Sequence, residues 1–111
     1  MDDRVGYDFS FVDEKGLFGG PKGCRYLIEA KGILTLRNAV HLSSKEWRVA
    51  QDAHNRKDGL AVYIVVVVLL QKNPSILYWI EDPVYLLNNG VLSLIPNEYI
   101  LRVENFKQEC H

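Results

Sequence analysis

The sequence predicts an α/β (α+β) fold in which a mixed β-sheet is flanked by helices. Three observations carry that reading. The run LAVYIVVVVLL, residues 60–70, is rich in β-branched residues and lacks polar alternation, as suits a strand covered on both faces at the centre of a sheet. Just before it, SSKEW opens a helix: Ser43 with Glu46 three residues later fits a capping box. Earlier still, two apolar stretches flank a glycine-rich segment, the pattern of a hairpin. Antiparallel pieces around a strand–helix–strand passage give a mixed sheet.

Val5 to Val12 reads as the first strand, with Tyr7, Phe9 and Phe11 on one face and Asp8 and Ser10 on the other. DEKGLFGGPKG follows, with four glycines and a proline in eleven residues, and makes the hairpin connection. Cys24 to Ala30 is the second strand, residues 31–38 look irregular, and Ala39 to Leu42 is a short third strand. The helix runs from about Ser44 to Arg56, with Trp47, Val49, Ala50 and Ala53 facing the core. On its outer side Arg48 and Asp52 are spaced to pair at i,i+4. Asp58-Gly59 turns the chain into residues 60–70, and Asn73-Pro74 turns it into a strand at Ser75 to Glu81. Asp82-Pro83 has the form of an N-cap with proline in the first helical position. The short helix it opens ends at Asn89-Gly90. Glu98 to Val103 is the last strand, and the tail FKQECH is expected to fray.

Residues 1–111 are enough for a single domain. Hydrophobic residues make up 48% and charged residues 24%, an ordinary balance for a globular domain. A net charge of −1 argues against a free-standing, strongly basic nucleic-acid binder. Cys24 and Cys110 form neither a disulfide framework nor a zinc set. No basic segment followed by an apolar one opens the chain, and residues 60–70 fall short of the roughly 20 needed to span a bilayer as a helix. The chain therefore reads as intracellular, cytoplasmic or (in a eukaryote) nuclear, with no membrane partner.

RYLIEAKG, residues 25–32, carries the chemistry. Strand side chains alternate faces, so Glu29 and Lys31 share one. If residues 5–12 pair with residues 24–31, Asp8 lies beside them. Two carboxylates can hold Mg²⁺, which takes oxygen ligands and keeps several waters. A lysine beside the ion offsets charge in a transition state. The plain alternative is an ion pair at a strand end, with Asp8 solvated nearby.

The order Gly6-Tyr7-Asp8, glycine-rich hairpin, RYLIEAKG, HLSSKEW and apolar strand resembles the PD-(D/E)XK nuclease superfamily. More narrowly it resembles the C-terminal domain family named after the plant protein NO VEIN. Members show a Gly-Tyr-Asp start, a strand ending in Glu-x-Lys-Gly, a Leu-Ser/Thr-x-x-Glu-Trp-like helix start, and often a later Asp-Pro such as Asp82-Pro83. The resemblance spans residues 5–83. It implies a restriction-endonuclease-like core and a metal-dependent nuclease cutting phosphodiester bonds, with Asp8, Glu29 and Lys31 catalytic. Mg²⁺ or Mn²⁺ would be held by Asp8, Glu29 and the Ala30 carbonyl. The implied partner is nucleic acid, DNA ahead of RNA. An alternative of equal interest is a non-catalytic module of the same fold that binds nucleic acid or protein.

The chain departs from the superfamily pattern in two places. Tyr7 stands where the superfamily name has proline. Only seven residues precede Asp8, too few for the usual first helix, so a longer parent protein or a homodimer is expected to cover that face. Other features read more simply. KGLFGGPKG lacks the Gly-Lys-Ser/Thr of a phosphate loop. His41, just before the helix, reads as structural, with a general base or DNA contact as the alternative, and His54 and His111 lack a ligand partner at metal spacing. Lys45, Arg48, Arg56 and Lys57 form a basic flank that reads as solvated, with phosphate contact as the alternative. Trp47 and Trp79 read as packing residues.

Overall fold

The computed structural model describes residues 5–95 and 99–104. Strands β1 (Phe9–Asp13), β2 (Cys24–Ile33) and β3 (Ala39–His41) precede helix α1 (Ser44–His54). Then come β4 (Ala61–Leu69), β5 (Ser75–Glu81), α2 (Pro83–Asn88), β6 (Leu92–Ile95) and β7 (Ile100–Val103). They form a mixed sheet of order β1-β2-β4-β5 and an antiparallel sheet of order β3-β7-β6. The fold is mixed α+β, as the sequence predicts.

β4 is an inner strand. It runs parallel to β2, with Arg25 opposite Ala61 through to Ile33 opposite Leu69, and antiparallel to β5. Its alternate residues enter two different cores. Tyr63, Val65 and Val67 face the larger one, with Trp47, Ala50 and Ala53 of α1 and Leu92, Leu101 and Val103 of the second sheet. Ile64 and Val66 face the other side with Cys24, Tyr26 and Ile28. The uninterrupted β-branched run thus follows from a strand with no solvent face. At the far end of the β1–β2 hairpin, the buried Asp13 carboxylate accepts from the amides of Leu17 and Phe18, at 2.9 and 3.0 Å. That fixes the glycine-rich turn and brings the Phe18 ring 5.2 Å from Phe11 and 5.6 Å from Tyr26.

α1 begins with the anticipated capping box. The Glu46 amide donates to Ser43 Oγ at 3.1 Å, and the Ser43 amide donates to Glu46 Oε1 at 2.8 Å. α2 begins with the anticipated Asp82 cap and Pro83.

Several boundaries differ from the sequence reading. β1 starts at Phe9 rather than Val5 because Gly6, at φ +77°, turns the chain across α1. Tyr7 consequently packs against the α1-side core instead of joining Phe9 and Phe11. β2 runs on to Ile33 because β4 offers it a ladder partner that local pattern does not reveal. The single sheet expected is two, and β6 supplies a strand the sequence reading lacks. α1 ends at His54, two residues early. No ion pair joins Arg48 to Asp52 among the described residues. The start of the last expected strand, at Glu98, and the tail FKQECH lie outside the described residues.

Gly6 ties the N-terminal segment to both layers. Its carbonyl accepts from the buried Tyr63 hydroxyl at 2.7 Å. A Cβ there would stand 2.7 Å from Val49 Cγ2 and 3.1 Å from the Lys45 carbonyl oxygen. Left-handed backbone strain and overpacking add, so Gly6→Ala is expected to lower unfolding stability by about 2–3 kcal/mol, read as a lower urea midpoint at unchanged slope.

Candidate functional site

The site is built where β1 ends beside β2 and α1 passes over them. Phe9 pairs with Ile28, so Asp8 falls one step beyond, opposite Glu29. Its backbone amide donates to the Ile28 carbonyl at 2.8 Å, and its Oδ2 accepts from the Ala30 amide at 2.8 Å. Glu29 and Lys31 lie two apart on β2, on the α1 face. Lys31 Nζ stands 3.3 Å from Glu29 Oε2 and 2.8 Å from Glu46 Oε1. Glu29 and Glu46 are 3% exposed. The Lys31 side chain, at 25%, reaches solvent. The structure therefore brings Asp8, Glu29, Ala30 and Lys31 together and adds Glu46 from α1.

The two buried carboxyls cannot both ionise cheaply. Burial and a hydrogen bond to Glu46 push the Glu29 carboxyl up to about 8, against the pull of Lys31. Burial also raises Glu46, but the Lys31 hydrogen bond, then the Ser43 amide and Glu29, outweigh it and leave Glu46 below the usual carboxylate range. Burial lowers Lys31, yet the hydrogen bond and charge of Glu46, together with Glu29, hold it above an ordinary lysine. At neutral pH the cluster is a neutral Glu29 acid, a Glu46 carboxylate and a Lys31 ammonium. Each buried polar atom among them is partnered.

The donor set suits a hard cation by chemistry. Asp8, Glu29 and the Ala30 carbonyl, which points to the same strand edge as the Ala30 amide, offer oxygen alone, and Mg²⁺ needs only one or two carboxylates plus water. No cluster of three or more His, Cys, Asp or Glu is arranged to hold an ion among the described residues, since Lys31 sits between Glu29 and Glu46. His41 is exposed, and His54 Nδ1 lies 3.0 Å from Asp82 Oδ2, joining α1 to the α2 cap. Neither histidine enters the site. Trp47 is buried in the core and Trp79 is partly exposed on β5. No described helix is long and apolar enough to cross a membrane.

These features define an α+β domain with a buried Glu-Lys-Glu cluster beside a strand-end aspartate. A family model described as "Protein NO VEIN, C-terminal" matches residues 1–79, and the chain belongs to that family. No curated protein and no solved structure matches it.

Glu46 is the residue that sequence reasoning missed as part of the site. Its signal was present, because the capping box places Glu46 three residues after Ser43, but capping alone accounted for it. Only the passage of α1 over β2 gives the same Oε1 atom two donors, the Ser43 amide and Lys31 Nζ.

Glu29 carries a pH consequence. Its pKa is about 8 in the fold against the ordinary value of 4.5, so the folded chain binds the extra proton. That stabilisation is whole below pH 4.5 and is lost as pH rises through the window to about 8. Glu46, held low, acts in the opposite sense: its contribution is present above 4.5 and is lost as pH falls below it. The urea midpoint at pH 5 is expected to exceed that at pH 8.5, and Glu29→Gln, which mimics the protonated acid, should remove most of the difference.

Proposed function

We propose that this domain hydrolyses phosphodiester bonds of nucleic acid with Mg²⁺ or Mn²⁺, on a core of the PD-(D/E)XK, restriction-endonuclease-like kind. The observation that carries the reading is the convergence of Asp8, Glu29 and Lys31 at one strand end, in the order and on the elements that the motif requires. Asp8, Glu29 and the Ala30 carbonyl would hold the ion. Bound there, it would supply a Lewis acid and a water of lowered pKa.

The protein's own groups do the rest. Asp8 is fixed by the Ala30 amide, so its second oxygen has a set direction. Lys31 is kept protonated by Glu46 and faces solvent, where it can hold a phosphoryl oxygen and offset negative charge developing on it. Glu46 anchors Lys31 to the start of α1 and so acts as a positioning residue. Glu29 must release its proton before it can bind a cation, which links metal binding to pH.

A second reading, a non-catalytic module of the same fold, is favoured by one feature. Glu29, Lys31 and Glu46 satisfy one another within the protein, as a structural network does. The hydrolytic reading puts DNA ahead of RNA as the partner, and the second reading admits nucleic acid or a protein partner.

Calorimetric titration with Mg²⁺ and Mn²⁺, paired with cleavage of single- and double-stranded DNA and RNA, tests the proposal. Asp8→Ala and Glu29→Ala are expected to abolish both binding and cleavage. Lys31→Ala should spare metal binding and cut cleavage by about 10²–10³-fold. Binding should tighten and release fewer protons as pH rises toward 8. Metal binding without cleavage would select the non-catalytic module. No binding at millimolar metal, with Asp8→Ala harmless, would overturn the nuclease reading.

A further inference from the structure

A groove of about 280 Å³ opens next to the acidic cluster, between the N-terminal half of β2 and the outer flank of α1. Its floor includes Leu27 and Ala53, both buried, and Tyr7 stands at its side. Arg25, Asp52 and Arg56, all exposed, form the rim. The groove and the cluster lie on the same, α1-covered face of β2. Tyr7 precedes Asp8 in the chain, and Leu27 lies two residues before Glu29 on the same strand face, roughly 7 Å away.

The lining has two parts with different chemistry. The apolar floor and tyrosine suit a flat ring that must leave water, because base–aromatic stacking depends only on a π-face. The rim suits an anion with a polar edge attached. Arg25 makes one long hydrogen bond, to Ser10 Oγ at 3.3 Å, which leaves most of its donors available. Arg56 is already bound twice by Asp58, at 3.1 and 2.6 Å, so it contributes less. Asp52 makes no ion pair among the described residues. As an acceptor-only group it favours a donating base edge. The exocyclic amine of cytosine or adenine fits. The thymine imide is flanked by two carbonyl oxygens that a carboxylate repels.

We propose that this groove is the subsite for one unpaired nucleotide next to the scissile position, with the base against Tyr7, its amine on Asp52 and its phosphate on Arg25. The inference rests on the nucleic-acid reading above and extends it to a substrate class, a strand with at least one nucleotide out of its duplex. Only a base outside a duplex can lay its face on Tyr7, because both faces of a paired base are stacked on its neighbours. The charge arrangement decides the orientation. The Asp8 carboxylate lies toward one end and the guanidinium of Arg25 at the other, so without metal the nucleotide's phosphate is held at the Arg25 end, away from the acids.

The test is binding of a fluorescent single-stranded DNA hexamer in EDTA, where no cleavage occurs. An oligo-dC hexamer should bind several-fold tighter than oligo-dT, and Asp52→Asn should erase that preference. Arg25→Gln should weaken binding about tenfold and flatten the salt dependence by about 0.7 in log–log slope. Tyr7→Leu, which keeps an apolar side chain in the core, should weaken it by about 5–100-fold. Shifts of the Leu27 and Ala53 amides in the wild-type protein on titration with dCMP, absent with inorganic phosphate alone, give a readout that does not depend on any variant folding. Unchanged affinity in Arg25→Gln together with unshifted amides would overturn the subsite. So would equal loss of duplex and single-strand binding in Arg25→Gln with full competition by phosphate. Because binding is read without metal, failure of the hydrolytic reading leaves this result standing. Cleavage combined with an unaltered Arg25→Gln affinity would overturn the subsite alone.

Discussion

The parallel ladder between β2 and β4 is the constraint on which everything else rests. Nine residue pairs, from Arg25–Ala61 to Ile33–Leu69, place the strand with the charged pair beside the most apolar strand of the chain. A parallel pair cannot be joined by a tight turn and needs a crossover. Here the crossover contains β3 and α1, and α1 lies on the face that Glu29 and Lys31 occupy. The same connection therefore covers the core and delivers Glu46 to Lys31. On its other edge β2 holds β1, whose register puts Asp8 opposite Glu29.

The cluster so assembled is a poor way to stabilise a domain. Buried ion pairs lose most of their Coulombic gain to desolvation, and well-packed apolar side chains of similar volume often do as well or better. Removing one partner, by contrast, leaves an uncompensated buried charge and costs about 3–5 kcal/mol. The fold limits that exposure by sharing one proton between Glu29 and Glu46 and by placing Lys31 against both. Groups whose pKa values are driven apart by burial and a specific partner concentrate at functional sites. That physical consideration, and not the family match alone, makes this strand end the candidate centre. Solvent reaches it through Lys31 and Asp8, while both glutamates stay behind them.

Much of the fold was legible because its signals are local. The β-branched run suits a strand covered on both faces, and β4 is such a strand. Ser43 with Glu46 and Asp82 with Pro83 name helix starts through contacts three residues apart, and both caps form as read. The expectation of Glu29 and Lys31 on one face needed only strand periodicity. The bend at Gly6 was not legible, because Val5 to Val12 reads as one strand and the φ of +77° and the close approach of Val49 depend on α1 being there.

What the sequence determined by itself was the class of fold, the inner strand, the helix caps and the shared face of Glu29 and Lys31, since each follows from periodicity or from contacts within a few residues. What only the tertiary structure decided was which elements meet. The division into two sheets, the extension of β2 to Ile33, the turn of Tyr7 into the α1-side core, and the second role of Glu46 all depend on pairing between segments far apart in the chain. The energy that selects those pairings comes from apolar surface buried between elements and from charges left without water. Neither quantity has a value until the chain has closed on itself.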